Sequence, residues 1–327
     1  MSATRFLRSM SLIAAGLAVL GLGAVHAEDK FPSKPVTLIV PWSAGGGSDT
    51  SMRLLAAAAE KYLGQPIVVE NKPGAGGAEG TRAIAGAKPD GYTVGMVANG
   101  VVARQYSNRN ANEVSDLQMI AFFGADPSAL TANPKTGFKS VADFVKFAKA
   151  HPRKIKNAND KPGGASYIAA AILENDLGIK LTKVPYDGYA PEVTAVVAGE
   201  VDTVTTPVPD VIEHAKAGKL RILGVMDTKR HFLAPDVPTF KEQGFNVVVG
   251  TWRMIAGPKG IPADRLATLE SALLKTLKDP AFVKKANAAG FSVDPKGSKE
   301  ATAYVKSYDE KLYPILKNAG LVKVRAR

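Results

Sequence analysis

The stretch Val36–Gly64 constrains this chain more than any other. An apolar, β-branched run, Val36-Thr-Leu-Ile-Val40, passes through Pro41-Trp-Ser-Ala-Gly-Gly-Gly-Ser-Asp-Thr50 into a helical pattern. That pattern carries Met52, Leu55, Ala59 and Leu63 on one stripe and stops at Gly64. A buried strand, a glycine-rich turn and a helix read off in that order. Consecutive glycines let backbone N–H groups turn outward, and the positive end of a helix favours negative charge above it. The turn, which includes Ser43, Ala44, Gly45, Gly46, Gly47 and Ser48, is therefore a candidate anion site. Ser48 or Asp49 is expected at the N-cap. Asp49 takes the capping role, accepting N–H bonds from Thr50 to Arg53, because a carboxylate in direct contact would repel an anionic ligand. Arg53 is expected to pair with Glu60 or a neighbouring carboxylate.

The alternation continues. Gln65–Glu70 reads as a strand, Asn71–Gly77 as a second glycine-rich turn, Glu79 to about Ala87 as a helix and Tyr92–Ala98 as a third strand. A βαβαβ order implies parallel strands joined by right-handed crossovers, with ligand contacts at their carboxyl ends, where Asn99 stands. Leu117–Thr131 has strand character and marks the passage into a second lobe. Ser140 opens a helix to about Ala150. Lys154–Asn159, the turn Asp160–Ser166 and the helix Tyr167–Asp176 repeat the opening device. Strands at Leu181–Pro185, Val201–Thr205 and Leu220–Met226 follow with helices between them, and Phe245–Ala256 is long enough to return between lobes. Pro262, Pro280 and Ser298 start three further helices, with Gly290 and Gly320 as stops. The expected fold is α/β with two lobes, each a mostly parallel sheet flanked by helices. Residues 28–127 with 251–327 form one lobe and 128–250 the other.

Composition sets the compartment. Arg5 and Arg8 precede an apolar run, Leu12–Val25, that closes on Val25-His26-Ala27, the pattern of a signal peptide (residues 1–27) cleaved after Ala27. The run is short for a bilayer span, so a soluble, exported mature chain is expected. With no cysteine, disulfides, thiolate metal sites, cysteine nucleophiles and a lipid-bearing thiol are all excluded. The formal charge is +12, of which Arg5 and Arg8 supply two. The basic residues are spread over helical faces among acidic neighbours, as in Asp279–Lys285 and Lys296–Lys311, and are not gathered into a patch for nucleic acid.

No catalytic pattern emerges. Gly45-Gly-Gly-Ser48 lacks the Gly-x-Gly-x-x-Gly spacing, no Gly-Lys-Ser/Thr is present, and Ser48 is followed by Asp49 and Thr50 where a nucleophile elbow needs a glycine two residues on. His151, His214 and His231 stand far apart and read as surface residues. No metal-ligand spacing and no cofactor motif occur. Trp252, Tyr167, Tyr186 and Tyr189, near strand ends and loops, fit either interlobe packing or a ligand platform.

Five ordered motifs resemble a known family. Pro35-Val-Thr-Leu-Ile-Val-Pro-Trp-Ser-Ala-Gly-Gly-Gly-Ser-Asp49, Leu63-Gly-Gln-Pro-Ile-Val-Val-Glu-Asn-Lys-Pro-Gly-Ala-Gly-Gly77, Lys88-Pro-Asp-Gly-Tyr-Thr93, Val184-Pro-Tyr-Asp-Gly-Tyr-Ala-Pro191 and Ala217-Gly-Lys-Leu-Arg221 are similar to the Bug family. These are extracytoplasmic receptors of tripartite tricarboxylate transporters, and Asp236-Val-Pro-Thr239 also fits. The resemblance implies a monomeric, two-lobed periplasmic binding protein of type II-like fold that closes on a small carboxylate and serves integral-membrane transporter subunits. It points to Ser43–Ser48 on one lobe and to Gly163, Gly164, Ala165 and Ser166 on the other. The second loop departs from the family pattern. Hydroxyls are lost at Gly164 and Ala165, Tyr167 replaces a histidine, Tyr189 a small residue, and Thr205-Thr206 an acidic-amide pair. Lys161 is expected to restore as charge what the lost hydroxyls gave as hydrogen bonds. Ligand identity stays open, as do an exported α/β enzyme acting on a carboxylate or ester, and a receptor used for signalling.

Overall fold

The computed structural model describes residues 30–186 and 188–327; the expected signal peptide lies outside the described residues. The chain opens with β1 (Val36–Val40), α1 (Gly47–Leu63), β2 (Ile67–Asn71), α2 (Ala78–Ala85), β3 (Thr93–Ala98) and α3 (Gly100–Ser107). The long strand β4 (Leu117–Ala132) leads to α4 (Val141–Ala150), β5 (Lys156–Asp160), α5 (Ala165–Leu177), β6 (Thr182–Tyr186), α6 (Tyr189–Ala198), β7 (Thr203–Pro207), α7 (Val208–Lys216) and β8 (Arg221–Val225). β9 (Gly250–Pro258) returns to the first half. It is followed by α8 (Ala263–Lys278), α9 (Pro280–Ala288), β10 (Lys296–Gly297) and α10 (Ser298–Asn318).

The strands lie in the order β2-β1-β3-β9-β4-β7-β5-β6, with β8 and β10 also on β4. β1 is parallel to β2 and β3, and β5 is parallel to β6 and β7. β4 runs antiparallel to all its neighbours, so the sheet is mixed. Up to Pro127, β4 pairs with β9; from Ser128 it pairs with β7. One strand thus belongs to both halves of the molecule, a two-lobed α/β fold with helices flanking a curled sheet.

The stripe read on α1 is the buried one: Met52, Leu55, Ala59 and Leu63 face β1, α8 and Phe123 of β4. Each large side chain so buried contributes on the order of 1.5–3 kcal/mol. A second core joins Val193 and Val196 of α6 to Val204 and Val208. The third joins the two halves, with Trp252 of β9, Val101 of α3, Ile168 and Ile172 of α5 and Val305 of α10 in one cluster.

Two readings change. The returning strand begins at Gly250, five residues later than expected. Before it, Val249 accepts from Ser128 N–H and donates to Met226 C=O, both at 3.0 Å, so its backbone groups are divided between two strands instead of forming a ladder. The helix α3 has no counterpart in the sequence reading. Its Val101, Val102 and Ala103 continue the apolar run of β3, and the change of period is hidden in it.

Candidate functional site

The turn after β1 reaches α1 in the manner the sequence predicts, with a different cap. Gly46 is the N-cap, in extended conformation, and no side chain caps this end. Asp49 sits in the first turn and reaches backward. Its Oδ2 accepts from Gly45 N–H at 2.9 Å and from Arg53 Nε at 3.0 Å, and its Oδ1 accepts from Asn71 Nδ2 at 2.9 Å. The expected bonds from Thr50–Arg53 backbone are replaced because a residue inside the helix points toward the preceding turn. Arg53 correspondingly pairs with Asp49 and Asn71 and not with Glu60. Burial pushes the Asp49 carboxyl up, but the Arg53, Gly45 and Asn71 hydrogen bonds outweigh it and hold the pKa at about 2. The carboxylate braces the turn from behind. Gly45 adopts a φ of +84°, which turns the chain so that Ser43–Gly47 stand exposed above the open helix end.

Beneath that end lies a cation absent from the sequence reading. Arg253 Nη2 is 3.9 Å from the position of a Gly47 Cβ, and its guanidinium lies 5.1 Å from the Phe291 ring centroid. Its Nη1 pairs with Asp126, whose other oxygen accepts from Ser292 N–H at 2.8 Å. A charge inside the otherwise uncharged strand Gly250–Pro258 was the available signal.

The facing turn is built differently from the expectation that both helix ends await a ligand. Asp160, at the end of β5, folds over Gly164 and accepts from Ser166 N–H at 3.1 Å. In return Ser166 Oγ accepts from Asp160 N–H at 2.7 Å and donates to Glu192 Oε1 at 2.8 Å. The N-terminus of α5 is already occupied by the protein's own carboxylate. Burial and then the Asp160 charge push Glu192 up to about 9, and burial raises Asp160 as well. Glu192 therefore keeps its proton at neutral pH. Asn159 Nδ2 and Thr205 Oγ1 both donate to Ser166 C=O, at 3.2 and 3.1 Å, and fix the serine further.

Over residues 51–321 the sequence matches the family described as the tripartite tricarboxylate transporter family receptor. The chain belongs to this receptor family. A UPF0065 protein in the gbd 5′ region of Cupriavidus necator is 31% identical over 96% of this chain and 97% of its own. The periplasmic binding protein BugD matches with a TM-score of 0.76 and 29% identity, covering 89% of this chain and 99% of its own. MatC from Rhodopseudomonas palustris, solved with bound malate, matches with a TM-score of 0.74 and 26% identity over 88% of this chain and 100% of its own.

The receptor brings several expected residues to the junction of its lobes. Gly163 lies beside α3, a Cβ there standing 3.7 Å from Ser107 Oγ, and Ala165 and Ser166 follow it. Tyr189 Oη and Thr251 Oγ1 share a hydrogen bond of 2.8 Å, tying α6 to the start of β9. Lys161 is exposed at the rim of its turn, Tyr167 is half-buried beside Lys183 and Glu174, and Tyr186 ends β6. Trp252 is 0% exposed and packs edge-on against Tyr304 and Tyr308. Asn99 and Thr206 are buried, and Asn99 Oδ1, Thr206 Oγ1 and Trp252 Nε1 have no partner among the described residues. His231 departs from the surface reading: it is buried, stacks on Phe232 and accepts from Leu233 N–H at 3.2 Å.

Proposed function

We propose that this receptor captures a small carboxylate between its lobes in the periplasm and presents it to the membrane subunits of a tripartite tricarboxylate-type transporter. The observation that carries this reading is the uncapped, exposed end of α1 with the Arg253 guanidinium directly below it. Exposed backbone N–H groups stand there with a cation beneath them, an arrangement suited to an oxyanion. The malate bound to MatC is in keeping with it.

The residues proposed to meet the solute are Ser43–Ser48, Asn99, Lys161, Gly163–Tyr167, Tyr186, Tyr189, Thr206 and, as walls, Trp252. The change of β4 partner at Pro127/Ser128 supports a division into 28–127 with 251–327 and 128–250. Closure draws its free energy from contacts made only when both lobes touch the solute. Export through cleavage after Ala27 and a monomeric state complete the reading.

Capture without chemistry fits a cleft whose serine and carboxylates are bonded to one another. Thermal-shift measurement across small carboxylates tests it, because a ligand selective for the folded state raises the midpoint as its concentration exceeds its dissociation constant. No shift from any acid would remove the reading, and turnover of a bound acid on prolonged incubation would replace it with the enzymatic one.

A further inference from the structure

The segment that follows α10 crosses back and closes over the end of α3. Lys323 N–H and Val324 N–H both donate to Tyr106 C=O at 2.9 Å. Arg325 then spreads its guanidinium over four carbonyls and a carboxylate. Nη1 donates to Gln105 C=O at 2.8 Å and Asn108 C=O at 3.3 Å, Nη2 donates to Arg109 C=O and Ala111 C=O, both at 3.1 Å, and Nε pairs with Glu113 at 2.8 Å. The carbonyls belong to the last turn of α3 and the loop leaving it, where a helix has acceptors without internal partners and a negative pole. Arg325 itself holds a φ of +51°, a strained conformation for a residue with a Cβ that persists only where its surroundings fix it. Two residues on, Arg327 ties the segment to α10. Its guanidinium pairs with Asp309 and lies 5.5 and 5.1 Å from the ring centroids of Tyr106 and Tyr313. Asp309 also accepts from Tyr106 Oη at 2.8 Å and from Gln105 Nε2 at 3.1 Å. The segment staples α3 to α10.

α3 needs such a fixture. Its eight residues are too few to hold a helix in water unaided, and Asn99 provides no side-chain cap at its start. Along its length it abuts the glycine turn of the other lobe: a Cβ at Gly100 would stand 3.6 Å from Gly163 C=O, and a Cβ at Gly163 would stand 3.7 Å from Ser107 Oγ. α10 packs against α5, the helix which that turn opens. Both stapled helices therefore stand where the lobes meet.

We infer that Arg325 is a positioning residue for solute capture: by clamping α3 to α10 it gives the turn Gly163–Ser166 a fixed wall to stop against. Arg325 acts through α3 and touches no solute. With the wall held, the approach of the lobes ends at a defined separation; with the wall loose, the separation spreads over a range. This rests on the closure of one lobe on the other proposed above.

The chain has no cysteine, so spin labels can be set at Lys146→Cys on α4 and Lys275→Cys on α8, exposed positions on opposite lobes. Interlobe distances by pulsed electron–electron double resonance, and amide hydrogen exchange, are compared in the unliganded protein with Arg325 intact, with Arg325→Ala and with Arg325→Lys. In Arg325→Ala the amides of Gln105–Asn108 should exchange about tenfold to hundredfold faster while those of α1 and α6 keep their rates. The interlobe distance distribution should broaden in the same variant. Arg325→Lys keeps the charge but cannot span four carbonyls, and should fall between the two. Faster exchange in α3 with an unchanged distance distribution would make Arg325 a helix cap alone and overturns the inference. A distribution that broadens without a change in α3, or no change in either, overturns it as well. If Arg325→Ala does not fold, Arg325→Lys is read by the same outcomes. No acid is added, so failure here leaves carboxylate capture, tested by thermal shift, untouched.

Discussion

The carboxylate of Asp160 lies across Gly164, with Oδ2 2.8 Å from where a Cβ at 164 would stand. The two residues are mutually dependent: the acid caps α5 only because the next turn carries no side chain. A methyl group at 164 must displace Asp160 from Ser166. Gly164→Ala should therefore cost about 1–3 kcal/mol in urea denaturation. Gly46→Ala, at the corresponding point of the other turn, meets only Ser43 C=O at 3.8 Å and should leave stability close to wild type.

Arg253 and Asp126 join β9 to β4 at the floor of the cleft, both nearly inaccessible to solvent. Removing one partner strands the other charge. Asp126→Ala should lose about 3–5 kcal/mol, and the double variant Asp126→Ala with Arg253→Met should lose less than the single one. A double-mutant cycle by denaturation checks this; single losses that simply add in the double variant would show that the charges are not coupled.

Glu192 makes stability depend on pH. Its carboxyl is raised from 4.5 to about 9, first by burial and then by Asp160. The contribution of the protonated form is fully present below the unfolded value of 4.5 and is lost as pH rises through about 9. Between these limits the unfolded chain has released a proton that the folded chain keeps, so stability falls with rising pH. Glu192→Gln keeps an acceptor for Ser166 and has no proton to lose. Its stability should decline less steeply over the same window, measured by denaturation at a series of pH values.

Asp49 braces the α1 turn through Gly45, Arg53 and Asn71. Asp49→Asn weakens the bonds from Gly45 and Arg53 and should cost about 1–3 kcal/mol in stability. Carboxylate affinity should fall with it, because the Gly45 N–H no longer fixes the turn. Calorimetry on the variant at a temperature where it remains folded separates the two effects.

Lys161 stands at the exposed rim of the facing turn. Lys161→Ala should weaken carboxylate binding more than Lys149→Ala, a control on the exposed face of α4. Equal affinities in calorimetry would remove Lys161 from the site.

The strand–turn–helix units were legible because each is local: the β-branched run Val36–Val40, the stripe Met52–Leu63 and the stop at Gly64 declare themselves within thirty or so residues. The glycine turns were legible as backbone, and their occupants were not. Nothing in Lys161-Pro-Gly-Gly-Ala-Ser166 announces that Asp160 fills the helix end, since that depends on Glu192 arriving from α6 to hold Ser166. Arg253 escaped for a related reason. A single arginine has no spacing signature, and its significance comes from the carboxylate the fold places beside it, here Asp126.

β4 carries a consequence for how the receptor moves. Its ladder is irregular at Met119/Ala121 and Phe122/Gly124 against β9, and at Leu130/Thr131 against β8, while the strand itself continues from Leu117 to Ala132. Rotation of one lobe on the other must then be absorbed as torsion along a hydrogen-bonded ribbon, where a flexible linker would offer no resistance. Bulges concentrate such twist at defined points. In the closure proposed above, such twist would fall at these irregularities of β4 and not in a linker.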